Sequence, residues 1–532
     1  MDSNNIISVV LNCHLPFIRH ADGLFYRDEI PFFQAVSNTY IPFLQMLKSL
    51  DAQCTPFRIG CVLSPTLCAM LRDETLISKY LNYTDKQIEF GKSELERTEN
   101  KCNTALYSLA MHYYNSIVEK RALFVDSYGK DIIGTFDYYR KKGRLEILGT
   151  TATYNFLPFY DKHPEIIRAQ IENALIEYKR IFNLSPSGFW LPECGYVKNI
   201  DKYLQKYNFN YTIIEPHTAL LANPPSATGS FLPLRSPRGL TFLVRDYPAR
   251  KEVEEAERFG AGFYCDCGED ICYKLDAGAV KTFLDKDGVR CPSGYRYLTY
   301  GGGGAIYNLQ AAKKFAEDHG RNFLKKKSEI LDKAGSITGK SSLSLCVWDA
   351  DALGRFWQEG FVFLESFIRS AHETHSATFA TPSEYLCRQD FVDFQTISPE
   401  FSSAGKNGYG ESFLNETNDW IYRHIFHATR RMTELAQRFN DDSGLKARAL
   451  KQAARETLLF QSSDFVRPAK LSKSEKTLCD MDRIVEHLRN FTTLYESLGG
   501  ERLSTKLLTF WENNNNIFPD VNYKTFRKFN AL

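Results

Sequence analysis

The sequence predicts an α/β protein, a distorted (β/α)7 barrel with helical insertions and a C-terminal helical domain. Three observations carry that prediction. Seven apolar runs of strand length, at residues 6–11, 57–63, 145–148, from Phe189 up to Glu193, 211–214, 240–244 and 343–347, are separated by helical or charged segments. Polar groups fall where these runs end, at His14, Glu193, His217, Asp246 and Asp349, the positions that form the catalytic face of an α/β barrel. From about residue 408 the pattern changes to helices rich in Arg, Lys and Glu.

Composition narrows the function classes. A chain of 532 residues exceeds one ordinary core, so one large domain and a smaller one are expected. With 66 basic and 64 acidic residues and no basic stripe, nothing points to nucleic acid. No 18-residue apolar run suggests a membrane span, and the start Met-Asp-Ser-Asn-Asn lacks a basic leader, so a cytoplasmic location is expected. The thirteen cysteines, an odd number scattered through apolar runs, read as reduced thiols. Cys265, Cys267 and Cys272 cluster but lack the second knuckle of a zinc site, so no metal or other cofactor is expected.

Taken in order, the first strand ends in Cys13-His14-Leu15-Pro16, residues 32–50 have helical periodicity, and Ser64-Pro65-Thr66 opens a helix after the second strand. Residues 67–125 form a charged helical excursion too long for a simple crossover. Glu146 lies inside the third strand, where a charge must be paired or line a cavity. Pro164 opens an amphipathic helix bearing Ile167, Ile171, Ala174, Leu175 and Tyr178. Residues 246–305 read as an insertion between the sixth and seventh strands. Its Gly301–304 run lacks the Gly-Lys-Ser/Thr sequel of a phosphate loop. A helix at 309–316 returns the chain to the last strand. The barrel domain is assigned to 1–405 and the helical domain to 406–532, with helices at 445–460, 478–498 and 504–511 and another opened by Asn418-Asp419.

Four stretches resemble the motifs of glycoside hydrolase family 57, especially its branching-enzyme and long α-amylase-like members. They are Cys13-His14-Leu15-Pro16, Gly143-Arg144-Leu145-Glu146, Trp190-Leu191-Pro192-Glu193-Cys194-Gly195-Tyr196 and Trp348-Asp349-Ala350-Asp351-Ala352-Leu353-Gly354. Asn418-Asp419-Trp420 and Gln461-Ser462-Ser463-Asp464-Phe465 resemble the family's C-terminal helical domain. The resemblance implies a (β/α)7 barrel, a nucleophile at Glu193, a general acid/base at Asp349 and a sugar contact at His14. The chain departs from the pattern where the family usually has histidine at Tyr154, Glu, His and Trp at Asp351, Arg355 and Phe356, and tryptophan at Ala404 and Phe413. A tryptophan expected near Pro31 is also missing, and the loop after Arg245-Asp246 is shortened and lacks a Gly-Tyr-Pro-Gly segment.

A retaining glycosidase needs its nucleophile and acid/base about 5–5.5 Å apart on opposite faces of the sugar ring. Glu193 and Asp349 are the candidates. Each alone also reads as a helix cap after a strand. His14, Tyr154, Trp190, His217, Asp246, Asp351, Trp357, Phe413 and Trp420 are the candidate substrate contacts. Glu146 is expected to stand behind the site, orienting His14 or another ligand group, and Arg355 to lie near Asp349, where its charge would favour the ionised acid. The resemblance leaves three functions: branching of α-1,4-glucans such as glycogen and amylose, hydrolysis of the same glucans, or binding without turnover. A metal-dependent deacetylase would need an Asp/His/His triad that the sequence does not offer. The expected partner is an α-glucan, and the expected state a monomer or small homo-oligomer.

Overall fold

A computed structural model describes residues 5–100, 103–441, 443–466, 481–500 and 503–528. The strands among the described residues are β1 Asn5–Cys13, β2 Ile59–Leu63, β3 Leu145–Leu148, β4 Gly188–Phe189, β5 Tyr211–Ile214, β6 Leu234–Arg235, β7 Thr241–Val244, β8 Ser342–Asp349, β9 Thr378–Phe379 and β10 Gln395–Thr396. Seven of them fall on the apolar runs of the sequence. β6, β9 and β10 are two-residue strands with no such run. The strand before Glu193 shrinks to Gly188–Phe189 because Trp190 and Leu191 leave the ladder toward a turn.

The longest strands, β1 and β8, are parallel neighbours in one sheet, ordered β3-β2-β1-β8, with β9 also beside β1. Their largely apolar content suits the burial of both faces, in which every residue but Asp349 is buried. The second sheet is ordered β10-β6-β7-β5-β4, parallel except for the β6–β7 pair. The sheets approach each other at two places. Gly149 bridges to Phe189, and the Asp246 N–H donates to the Leu345 carbonyl at 2.8 Å. Side chains from both sheets, among them Val10, Leu148, Ile213, Leu243 and Leu345, share one core, and a larger one lies between strands and helices.

The excursion after β2 folds as Pro65–Leu71, capped by the Ser64 hydroxyl, and then Glu74–Asn100 and Thr104–Ala122, which pack together. The helix expected at 309–316 runs on to Thr338, because its buried stripe continues through Phe323, Leu324, Leu331 and Ala334. It packs closely on the helix Gly360–Thr374. A Cβ at Gly320 would stand 2.6 Å from the Phe363 carbonyl oxygen. The C-terminal helices are Asp419–Arg438, Gly444–Phe460, Met481–Gly499 and Thr505–Asn514, so residues 478–480 of the third expected helix lie outside the described residues. No helix among the described residues is long and apolar enough to cross a membrane.

Between β7 and the long helix, the chain forms Tyr247–Glu254, Ala256–Phe259 and then mostly irregular backbone. One tie to the main body is Glu359, whose carboxylate accepts the Cys265 N–H at 3.1 Å. Burial pushes this carboxyl up to about 7 from an ordinary value of 4.5. Since the folded value lies above the unfolded one, its stabilising contribution is full below about pH 4.5 and is lost as pH rises through about 7. Glu359→Gln keeps the acceptor and removes the titration. Its melting temperature is expected to exceed that of the wild type above pH 7, by the equivalent of about 3 kcal/mol, and to match it near pH 4. Thermal melts across that range check this.

Candidate active site

The β1–β8 register sets the site. Asn12 and Asp349 are Cα partners at the ends of their strands, so their side chains emerge side by side on the face that also carries Val10 and Val347. Asp349 is exposed, unlike every residue before it in β8. The Asn12 amide Nδ2 donates one hydrogen to Asp349 Oδ1 at 2.9 Å and the other to the Tyr154 hydroxyl at 2.8 Å. Trp190 Nε1 donates to the same hydroxyl at 3.0 Å. Burial raises the Tyr154 pKa well above its ordinary value, and the charges of Glu193 and Asp349 raise it further. The phenol is therefore neutral and lies in the field of both acids.

Glu193 sits on the turn Pro192–Cys194 that follows β4, at φ 54° and ψ 30°. Cys194 follows with φ 49°, so two consecutive non-glycine residues hold left-handed backbone. The segment around residues 402–404 fastens this turn. Ala404 N–H donates to the Glu193 carbonyl at 2.7 Å, and Tyr196 bridges to Ser402. Strain of this kind persists only where the surroundings impose it, and it aims the Glu193 side chain.

His14 stacks on Tyr154, with ring centroids 3.7 Å apart and planes 8° from parallel. Its Nδ1 is bonded to the Ser64 hydroxyl at 2.9 Å and its Nε2 to Asp464 at 3.0 Å. Asp464 comes from the C-terminal region and is braced by the Ser462 hydroxyl at 2.8 Å. The neighbouring Ser463 hydroxyl donates to the Tyr154 carbonyl. Residues 462–464 thus join the strand ends to the helical tail.

The remaining candidates disperse. Glu146, expected to orient His14 or another ligand group, instead accepts the Tyr211 hydroxyl at 2.8 Å and the Ser383 N–H at 3.0 Å. It lies two residues below the strand ends, and His14 is oriented by Ser64 and Asp464. Asp246 caps the helix Tyr247–Glu254 and takes Lys327 Nζ at 2.7 Å. Asp351 is buried, accepting the Thr39 hydroxyl at 2.8 Å and pairing with Arg355 at 2.9 Å. The guanidinium expected near Asp349 is thereby engaged on Asp351.

His217 Nε2 is bonded to the Gly408 carbonyl at 3.1 Å, beside the half-exposed ring of Tyr409. Gly408 has φ 81°, and a Cβ there would lie 2.7 Å from His217 Nε2, so the position suits glycine alone. Trp357 is 1% exposed against Tyr264, His319 and Phe363, leaving no face of the indole open to a sugar. Phe413 is 2% exposed and stacked on Phe156. Trp190 is also buried and acts through its N–H. Trp420 is the exposed one, at 43%, on the helix Asp419–Arg438.

Sequence reading passed over two members of the cluster. Asn12 carried a signal, as the polar residue at the end of an apolar strand and in phase with Val10. Asp464 is 450 positions from His14, and no local pattern pairs them.

A strand-end carboxylate, Asp349, tied through Asn12 to a tyrosine that also lies in the field of Glu193, suits the carboxylate-pair class of glycoside-processing proteins. The chain belongs to glycosyl hydrolase family 57: that family's sequence model matches residues 8–397. Residues 424–526 match the model described as 1,4-alpha-glucan branching enzyme, C-terminal. A 1,4-alpha-glucan branching enzyme of Thermococcus kodakarensis is 24% identical over 549 residues, spanning 97% of this chain and 77% of that protein. The alpha-amylase AmyC from Thermotoga maritima superposes with a TM-score of 0.90 at 29% identity, covering 99% of this chain and 100% of its own. A GH57-type branching enzyme from Pyrococcus horikoshii superposes at 0.88 with 22% identity, covering 99% and 97%.

Proposed function

We propose that this chain is a retaining α-1,4-glucan enzyme that builds branches by glycosyl transfer, and that its seven parallel strands β1–β5, β7 and β8 close as a (β/α)7 barrel. The observation that carries the reading is the Tyr154 phenol, tied to Asp349 through Asn12 and in the field of the charges of both Glu193 and Asp349. Glu193 attacks the anomeric carbon while Asp349 gives its proton to the departing oxygen. Asp349 then removes the proton of the acceptor hydroxyl, whose oxygen displaces Glu193. A glucan 6-hydroxyl as acceptor makes a branch, and water makes a hydrolysis product. The full-length likeness to a branching enzyme and the matching C-terminal segment support transfer.

Hydrolysis is the second reading. It is favoured by Asp246 capping a helix at once, so that the chain leaves β7 directly into the helix Tyr247–Glu254. The full-length likeness to AmyC supports it too. Incubation with amylose separates the two. Reducing ends that appear only after enzymatic debranching, and not with Glu193→Gln, are expected for transfer. Ends that appear directly mark a hydrolase, and no change in either removes both readings.

A further inference from the structure

We propose that Asn12 is a positioning residue for the general acid, fixing which oxygen of Asp349 carries the transferred proton. The inference rests on the assignment of Asp349 as acid/base and extends it. Oδ1 accepts an amide hydrogen from Asn12 at 2.9 Å, so its lone pair on that side is occupied by a donor. A carboxyl proton on the same oxygen would meet the amide hydrogen head-on. The proton therefore resides on Oδ2, the oxygen left to face the sugar.

The amide is itself fixed. Its second hydrogen goes to the Tyr154 hydroxyl at 2.8 Å, which also receives Trp190 Nε1 at 3.0 Å. With two donors pointing at its oxygen, the phenol acts as an acceptor toward Asn12 and keeps the amide from turning over. Tyr154 is in turn clamped face to face with His14, which Ser64 and Asp464 hold. Asn12 is buried at 7% exposure and reaches both partners because its Cα is level with that of Asp349. Only an amide at this length offers two N–H groups from one atom. An aspartate would bring a second charge beside the acid, and a serine would be too short to span both.

The arrangement has a signed consequence. An N–H donated to the carboxylate favours the ionised form, so removing it raises the pH at which the acid is lost. The alkaline limb of the rate profile therefore moves to higher pH in Asn12→Ala, by about one unit, while kcat on amylose falls about 10²-fold. Tyr154→Phe keeps the stacked ring, removes the acceptor that steadies the amide, and is expected to move the limb the same way by less. First-turnover release of a chloronitrophenol from an aryl maltooligosaccharide needs no general acid. It is expected to change under about threefold in Asn12→Ala.

The experiment measures kcat against pH on amylose, and first-turnover phenol release, for wild type, Asn12→Ala, Asn12→Gln, Tyr154→Phe and Asp349→Asn. A limb that moves up in Asn12→Ala and Tyr154→Phe, with phenol release preserved in Asn12→Ala, supports the proposal. A limb that stays put, or equal losses on both substrates in Asn12→Ala while Asp349→Asn spares phenol release, overturns it and leaves Asp349 as the acid. Unimpaired amylose turnover by Asp349→Asn, or none by the wild type, removes the acid assignment and this inference together.

Discussion

Replacing Glu193 by alanine is expected to lower glucan turnover by at least about 10⁴-fold, an increase of about 5 kcal/mol in the barrier. Without a carboxylate below the ring, no covalent intermediate forms, and the remaining groups only bind and protonate. Azide, small enough to occupy the space vacated by the side chain, is expected to restore part of the activity. It would attack the anomeric carbon directly, forming a carbon–nitrogen bond as the glycosidic oxygen leaves with the proton of Asp349. The product would be the inverted β-glycosyl azide, since one displacement replaces two. Glu193→Gln gives the matching structural control. It keeps the side-chain volume and the turn at φ 54°, ψ 30°, along with the Ala404 N–H bond to the Glu193 carbonyl. Its melting temperature should therefore stay within about 0.5 kcal/mol of the wild type while turnover disappears. Chromatography of the azide product and a thermal melt together separate a lost nucleophile from a disturbed turn.

The legible part of the fold was set by apolar periodicity. β1, β5 and β8 are buried strands dominated by apolar side chains, and each hands over to a polar residue at the end that bears the site. β6, β9 and β10 could not be read, because two-residue ladders are made by their neighbours and leave no run of their own. The helix that continues to Thr338 was cut short because its second half is rich in lysine. One of those lysines, Lys327, is buried by pairing with Asp246, which also gives that acid its structural engagement.

The site divides along the same line. Glu193 and Asp349 end local motifs and were visible at once. The partners that orient this chemistry come from distant segments: Asn12 from β1, Tyr154 from the loop after β3, Ser64 after β2 and Asp464 beyond the Gly444–Phe460 helix. Aromatic residues misled for a related reason. A tryptophan or phenylalanine has the same sequence appearance whether it meets sugar or core, and only packing tells Trp357 and Phe413 from the exposed Trp420.

Asp349→Ala is expected to give the complementary result. Loss of general acid/base assistance costs about 10²- to 10⁴-fold on amylose, whose leaving sugar hydroxyl must be protonated. On an aryl maltooligosaccharide with a chloronitrophenol leaving group, the first bond cleavage proceeds without the proton, so a burst of one phenol per site is expected. The second step then stalls, because no base removes the acceptor proton, and the glycosyl-Glu193 ester accumulates. Added azide needs no base. It attacks the anomeric carbon of that ester, the carbon–oxygen bond to Glu193 breaks, and the product is the α-glycosyl azide with retained configuration. The anomer formed thus assigns each carboxylate: β from the Glu193 variant, α from the Asp349 variant. Identical anomers from both would remove the division of labour between them. The exposed position of Asp349, against the surrounded turn of Glu193, accords with this assignment. The group that must exchange protons with successive leaving groups and acceptors is the one open to them, while the nucleophile is held rigid beneath the ring.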